Sequence, residues 1–179
     1  MQRGEQSAGI GTLVKDHPPT AVGRALTDGR LHSLGEIGLQ QFAPYLMNRI
    51  IGRYNATIRD DLKARNLTTP QMRALAVLAV ADGLTINELA VYTVTEQSTM
   101  SRTLDAMEAQ GLVRRESHQT DNRVRQIYLT EAGRAQFDEM WPTIWNAFST
   151  MFRGVSDAEY ETFLSVLHKM LRNVRQHEI

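Results

Sequence analysis

The sequence predicts a mainly α-helical fold with one small two-stranded β-wing, and three observations predict it. From residue 34 onward, apolar residues recur at steps of three and four almost everywhere. The period changes to two over 112–117 and 123–129, on either side of the polar stretch His118-Gln119-Thr120-Asp121-Asn122. Just before that change stand two short helical stretches joined by a turn of three or four residues, the pattern of a helix-turn-helix.

Taken in order, residues 1–33 hold five Gly and the Pro18-Pro19 pair without sustained periodicity, and read as a flexible arm. A domain over 34–175 and a short tail, 176–179, follow. The first helix is expected over 35–65, where Leu39, Phe42, Leu46, Ile50, Tyr54, Ile58 and Leu62 make one stripe. Pro44 should kink it or split off its first turns. Thr69 reads as the cap of a second helix with Pro70 at its first position, and Gly83 as its end. Thr85-Ile86-Asn87-Glu88 is a capping box for a third helix to Tyr92. Thr95 then caps a fourth, which runs to Gln110 and stops at Gly111. After the wing, Thr130 caps a helix to Met151 with Pro142 inside it, and Ser156-Asp157-Ala158-Glu159 opens a last helix over 156–175.

Composition excludes several functions. The 179 residues contain no cysteine, so there is no thiol nucleophile, disulfide or Cys-ligated zinc. Twenty basic and twenty acidic residues cancel, so any nucleic-acid partner must be argued from local patches. The longest apolar run, 74–81, is too short to span a bilayer, which needs roughly 20 residues. No basic segment followed by an apolar one opens the chain, so a cytoplasmic location is expected.

Rotation at 100° per residue puts Met100, Thr103, Leu104 and Met107 of the fourth helix on one side. Ser98, Arg102, Asp105 and Ala109 point the opposite way, flanked by Thr99 and Ser101. A helix entering a major groove needs that face: small side chains, hydroxyls, and an Arg able to pair with guanine. Asp105 would pair with Arg102 at i+3 or accept from a cytosine amine. The wing carries Arg114, Arg115, Arg123 and Arg125 against Glu116 and Asp121, a net charge of +2. An Arg at a hairpin tip can enter a narrow minor groove.

These residues carry a resemblance. Leu67-Thr68-Thr69-Pro70-Gln71, Ile86-Asn87-Glu88-Leu89-Ala90, and Thr99 through Leu104 followed by Met107 through Arg115 resemble the MarR family of winged helix-turn-helix bacterial regulators. Asp121-Asn122-Arg123 matches that family's D-x-R wing, and Leu129-Thr130-Glu131-Ala132-Gly133 its L-T-x-x-G junction. The resemblance covers about residues 35–175. It implies a homodimer knitted by helices at about 35–65, 130–151 and 156–175, with a DNA-binding region at about 66–129. It implies Arg123 as the minor-groove Arg and Asp121 as the acid that orders the wing. Ser98, Thr99, Ser101 and Arg102 become groove-facing, and Thr69, Gln71, Gln97, Arg115 and Arg125 complete the DNA-facing set.

The function expected is a transcriptional repressor that binds an inverted-repeat operator in double-stranded DNA and is released by a small aromatic or anionic effector. Candidate effector contacts are Phe42, Tyr45, Leu46 and Arg49, with Met72, Leu75 and Trp141. A constitutive DNA-binding protein without effector is the second reading. No G-x-S-x-G, H-E-x-x-H or P-loop is present, so neither an enzyme nor a cofactor is expected. The five histidines, at 17, 32, 118, 168 and 177, have no metal-ligand spacing.

Overall fold

Pro44 decides where the first long helix begins in the computed structural model, which describes residues 29–117 and 124–174. The expected continuous helix over 35–65 is broken. A single turn, α1 (Leu34–Ile37), is closed by a capping box between Ser33 and Glu36 and ended by Gly38 at φ 79°. A 3-10 turn, Leu39–Gln41, follows, and then α2 (Ala43–Ala64). Pro44 is the second residue of α2, where the missing N–H has no helical acceptor to lose. Those first turns are split off rather than kinked.

The chain forms two compact units, residues up to Asn55 and residues from Ala56. In the second unit, Ile58 and Leu62 on the last turns of α2 are buried. Asn66, at φ 55°, turns the chain into α3 (Thr69–Val80). The cap of α3 is Thr68, not Thr69: Thr68 Oγ1 accepts from Gln71 N, and Gln71 Oε1 accepts from Thr68 N at 2.8 Å. Met72, Ala74, Leu75 and Leu78 are buried on more than one side of α3, because α5, α6 and β3 all pack on it.

Three strands form the sheet where two were expected. Leu84–Thr85 (β1) pairs antiparallel with β3 (Arg125–Leu129), which pairs with β2 (Val113–Ser117), in the order β1-β3-β2. A strand of two residues carries no period of its own and exists only because β3 supplies its partners. Helices α4 (Ile86–Tyr92) and α5 (Gln97–Ala109) make the helix-turn-helix, the first capped by Thr85 and Glu88 as expected. The expected cap Thr95 is displaced: Glu96 holds the N-cap position of α5 without a side-chain hydrogen bond, and Thr95 Oγ1 donates to Thr93 O. The buried Thr93 hydroxyl donates to Leu89 O at 2.7 Å, which closes α4.

Beyond the wing, α6 (Glu131–Met151) runs through Pro142 from its cap Thr130. Ser156 and Glu159 then close a capping box on α7 (Asp157–Val174). Leu75, Leu78, Leu89, Met100, Leu104, Met107 and Ile127 are fully buried, so helix α5 hangs on the core by one apolar face.

One backbone feature yields a stability prediction. Val94, in the turn between α4 and α5, has φ 52° and is exposed. A β-branched residue there is strained, and its side chain buries little in return. Val94→Gly is expected to stabilise the protein by about 1 kcal/mol, read as a raised denaturation midpoint.

Candidate nucleic-acid interface

Helix α5 presents the face that its rotation predicts. Met100, Leu104 and Met107 are buried, Gln97, Ser98, Arg102 and Asp105 are exposed, and Thr99 and Ser101 are half-buried. The Arg102 side chain folds along its own helix, with Nε donating to Ser98 O at 3.2 Å. Thr103 turns its hydroxyl to Thr99 O at 2.8 Å and is half-buried rather than in the core. From α3, Arg73 Nη1 donates to Thr93 O and ties the turn that sets the angle of α5.

Charge pairing differs from the sequence expectation. Asp105 pairs with Arg115 of β2, not with Arg102 three residues before it. Arg115 Nη2 donates to Asp105 and Nη1 to Glu108, both at 2.6 Å. Arg115, expected among the DNA-facing residues, is therefore bound to helix α5. Side-chain alternation along β2 explains this: Val113, Arg115 and Ser117 share one sheet face, and Val113 on it is buried. Arg114, on the other face, lies over the Tyr128 ring at 4.9 Å, while its Nε and Nη1 donate to Glu116 and to Leu129 O.

Gln71, also expected to face DNA, is likewise engaged within the fold. It is 5% exposed, its Oε1 serves the α3 cap, and its Nε2 donates to Gln110 Oε1 at 3.2 Å. A side chain so used ties α3 to the end of α5. The signal was in the sequence, since Thr68-x-x-Gln71 is itself a capping-box pattern. Thr69 beside it is half-buried. On the wing, Arg125 is exposed and its Nη1 donates to Ser117 Oγ at 3.0 Å. Asp121 and Arg123 lie outside the described residues.

The residues named for an effector divide between the two units. Phe42, Tyr45, Leu46 and Arg49 belong to the first, where the Arg49 guanidinium lies 5.6 Å from the Tyr45 ring centroid. Met72 and Leu75 belong to the second and are buried in its core. Trp141 is 45% exposed and sits in a ladder along α6, 5.7 Å from Phe137 and 6.0 Å from Trp145. Sequence reading missed Trp145, although the i, i+4 spacing from Trp141 was visible. A separate open groove of about 370 Å³ lies at the α2–α3 corner, lined by Arg59, Leu62, Lys63, Asn66, Leu67, Thr68 and Thr69.

Among the described residues, no helix is long and apolar enough to cross a membrane. No group of three or more His, Asp or Glu among them is placed to hold a metal ion.

A helix-turn-helix braced by a three-stranded sheet and wing defines a winged-helix protein of the transcription-regulator class. The sequence pattern of the MarR family matches residues 65–123. The crystal structure of a MarR-family transcriptional regulator from Silicibacter pomeroyi is 51% identical, with a TM-score of 0.79, covering 83% of this chain and 100% of that one. This chain belongs to the MarR family of transcriptional regulators. The HTH-type transcriptional repressor IacR of Pseudomonas putida is 26% identical over 139 residues, 78% of this chain and 83% of that protein. BpsR of Bordetella bronchiseptica, whose DNA binding is regulated by 6-hydroxynicotinic acid, shares the fold at 24% identity and a TM-score of 0.62, covering 72% of this chain and 97% of that one.

Proposed function

We propose that this regulator is a repressor that binds an inverted-repeat operator as a homodimer and leaves it when a small aromatic or anionic effector binds. The observation that carries the reading is the exposed face of α5, small and hydroxyl-rich around Arg102, presented beside the wing. In this reading Ser98, Thr99, Ser101 and Arg102 enter the major groove, with Thr69 and Gln97 at its edge. Arg125 faces the backbone, and Arg123, ordered by Asp121, reaches the minor groove. Helices α2, α6 and α7 hold two copies together, and residues at about 66–129 meet the duplex.

Two features support the dimer and effector parts. Helix α7 has a continuous apolar face but no buried residue. BpsR, of the same fold, responds to an aromatic carboxylate, and Arg49, Phe42 and Tyr45 of the first unit offer a cation and rings for such a molecule here. The ligand weakens binding only if it favours a state whose recognition helices no longer match the duplex pitch.

The test is footprinting on DNA selected by the protein, followed by titration of aromatic acids against the complex. Two protected half-sites roughly 10 bp apart are expected, and protection of one isolated half-site would sink the dimeric reading. A compound that changes tryptophan fluorescence should also release DNA, and failure of every such compound to do so removes the effector. Within the site, Arg102→Ala and Arg123→Ala should fail differently. The first is expected to cost about 1–3 kcal/mol and relax base preference, the second to weaken binding most where A·T-rich flanks narrow the minor groove. Competition with flank-swapped duplexes separates them.

A further inference from the structure

We propose that Arg115 is a positioning residue for duplex binding: it makes no contact with DNA but draws the Asp105 and Glu108 carboxylates of α5 back onto the base of the wing. The proposal rests on the DNA-binding reading of α5 given above. Helix α5 carries one cation, Arg102, against Asp105 and Glu108, so its own side chains leave it net negative. Such a helix would meet a polyanion at a disadvantage. Glu108 also lies in the last turn, where the helix dipole disfavours an acid.

The geometry answers both problems with one side chain. Arg115 spreads its two terminal nitrogens between the carboxylates, each at 2.6 Å, a division to which the rigid, planar fork of a guanidinium is suited. Its side chain is 21% exposed, against 61% for Asp105 and 41% for Glu108. The Nε is buried and makes no hydrogen bond, and both terminal nitrogens are engaged by α5, so this guanidinium is directed at the helix. Its backbone is fixed opposite Ile127, which is fully buried, so the anchor for the pair is the sheet itself. Arg115 thus ties wing to recognition helix and cancels the charge that would repel the duplex.

The experiment measures anisotropy with a labelled duplex recovered from a random pool by the wild-type protein. Arg115→Met is compared with the triple variant Arg115→Met, Asp105→Asn, Glu108→Gln, with circular dichroism on each. The single variant is expected to lose about tenfold or more in affinity, from two unscreened carboxylates near phosphate. The triple variant is expected to return to within about threefold of wild type, because its charges are gone together. If Arg115→Met binds like wild type, the proposal is wrong. A triple variant as weak as the single one overturns it too, since Arg115 would then touch DNA itself. Should Arg115→Met not fold, Arg115→Lys replaces it: a partial loss is expected, relieved by Glu108→Gln, and no relief overturns the proposal. A wild-type protein that recovers no duplex removes the DNA-binding reading, and this proposal with it.

Discussion

Gly133→Ala is expected to destabilise the fold by about 3 kcal/mol or more, a larger effect than that of an ordinary surface substitution. A Cβ at Gly133 would lie 2.0 Å from the Leu112 carbonyl oxygen and 3.0 Å from its carbon, both backbone atoms that cannot rotate away. The same carbonyl accepts from Thr130 N at 3.1 Å, and Gly133 N donates to Thr130 Oγ1 at 3.0 Å. Thr130 Oγ1 in turn donates to Gly111 O at 2.6 Å. Moving α6 outward to admit a methyl group therefore strains the cap of α6 and its seam with the start of β2 together. Urea denaturation checks this, and a wild-type midpoint would mean that the helix shifts freely. The L-T-x-x-G junction is thus a packing requirement of this fold: Thr caps, and Gly lets a helix and a strand touch.

The second large effect is expected from Leu171→Glu with Val174→Glu on α7. Both side chains are exposed, at 59% and 73%, and stand three residues apart on one apolar face with Leu167. Their replacement should cost the isolated chain little, because neither fills its core. If that face is where two copies meet, the pair of carboxylates is buried without partners and the dimer fails. Operator affinity should then fall by about 10²–10⁴, since a monomer holds one half-site and loses the effective concentration of the second. Analytical ultracentrifugation and anisotropy on the same samples check the two halves of the argument. A doubly substituted protein that stays dimeric would place the interface elsewhere.

Much of this molecule was legible in sequence wherever one local rule decides. The capping boxes at Thr85/Glu88 and Ser156/Glu159, the Thr130 cap and the stop at Gly111 each involve residues close in the chain. The buried face of α5 followed from helical rotation, because Met100, Leu104 and Met107 are its large apolar residues. Those features suffice for the order of the longer helices and the wing, and for the outward face of α5.

What tertiary structure alone decided concerns residues whose partners lie far along the chain. Sequence reading offered Asp105 either Arg102, three residues before it, or a cytosine amine, because helical neighbours are the only protein partners a sequence shows. The fold brings Arg115 to it from ten residues away on another element. Gln71 joins Gln110 across 39 residues, and β1 pairs with a strand some 40 residues later. Local partners are set by backbone geometry at fixed spacing, which any reader of the sequence can count. Distant ones are set by how elements pack, and packing chose, between two neighbouring arginines on opposite faces of one strand, which of them serves the recognition helix.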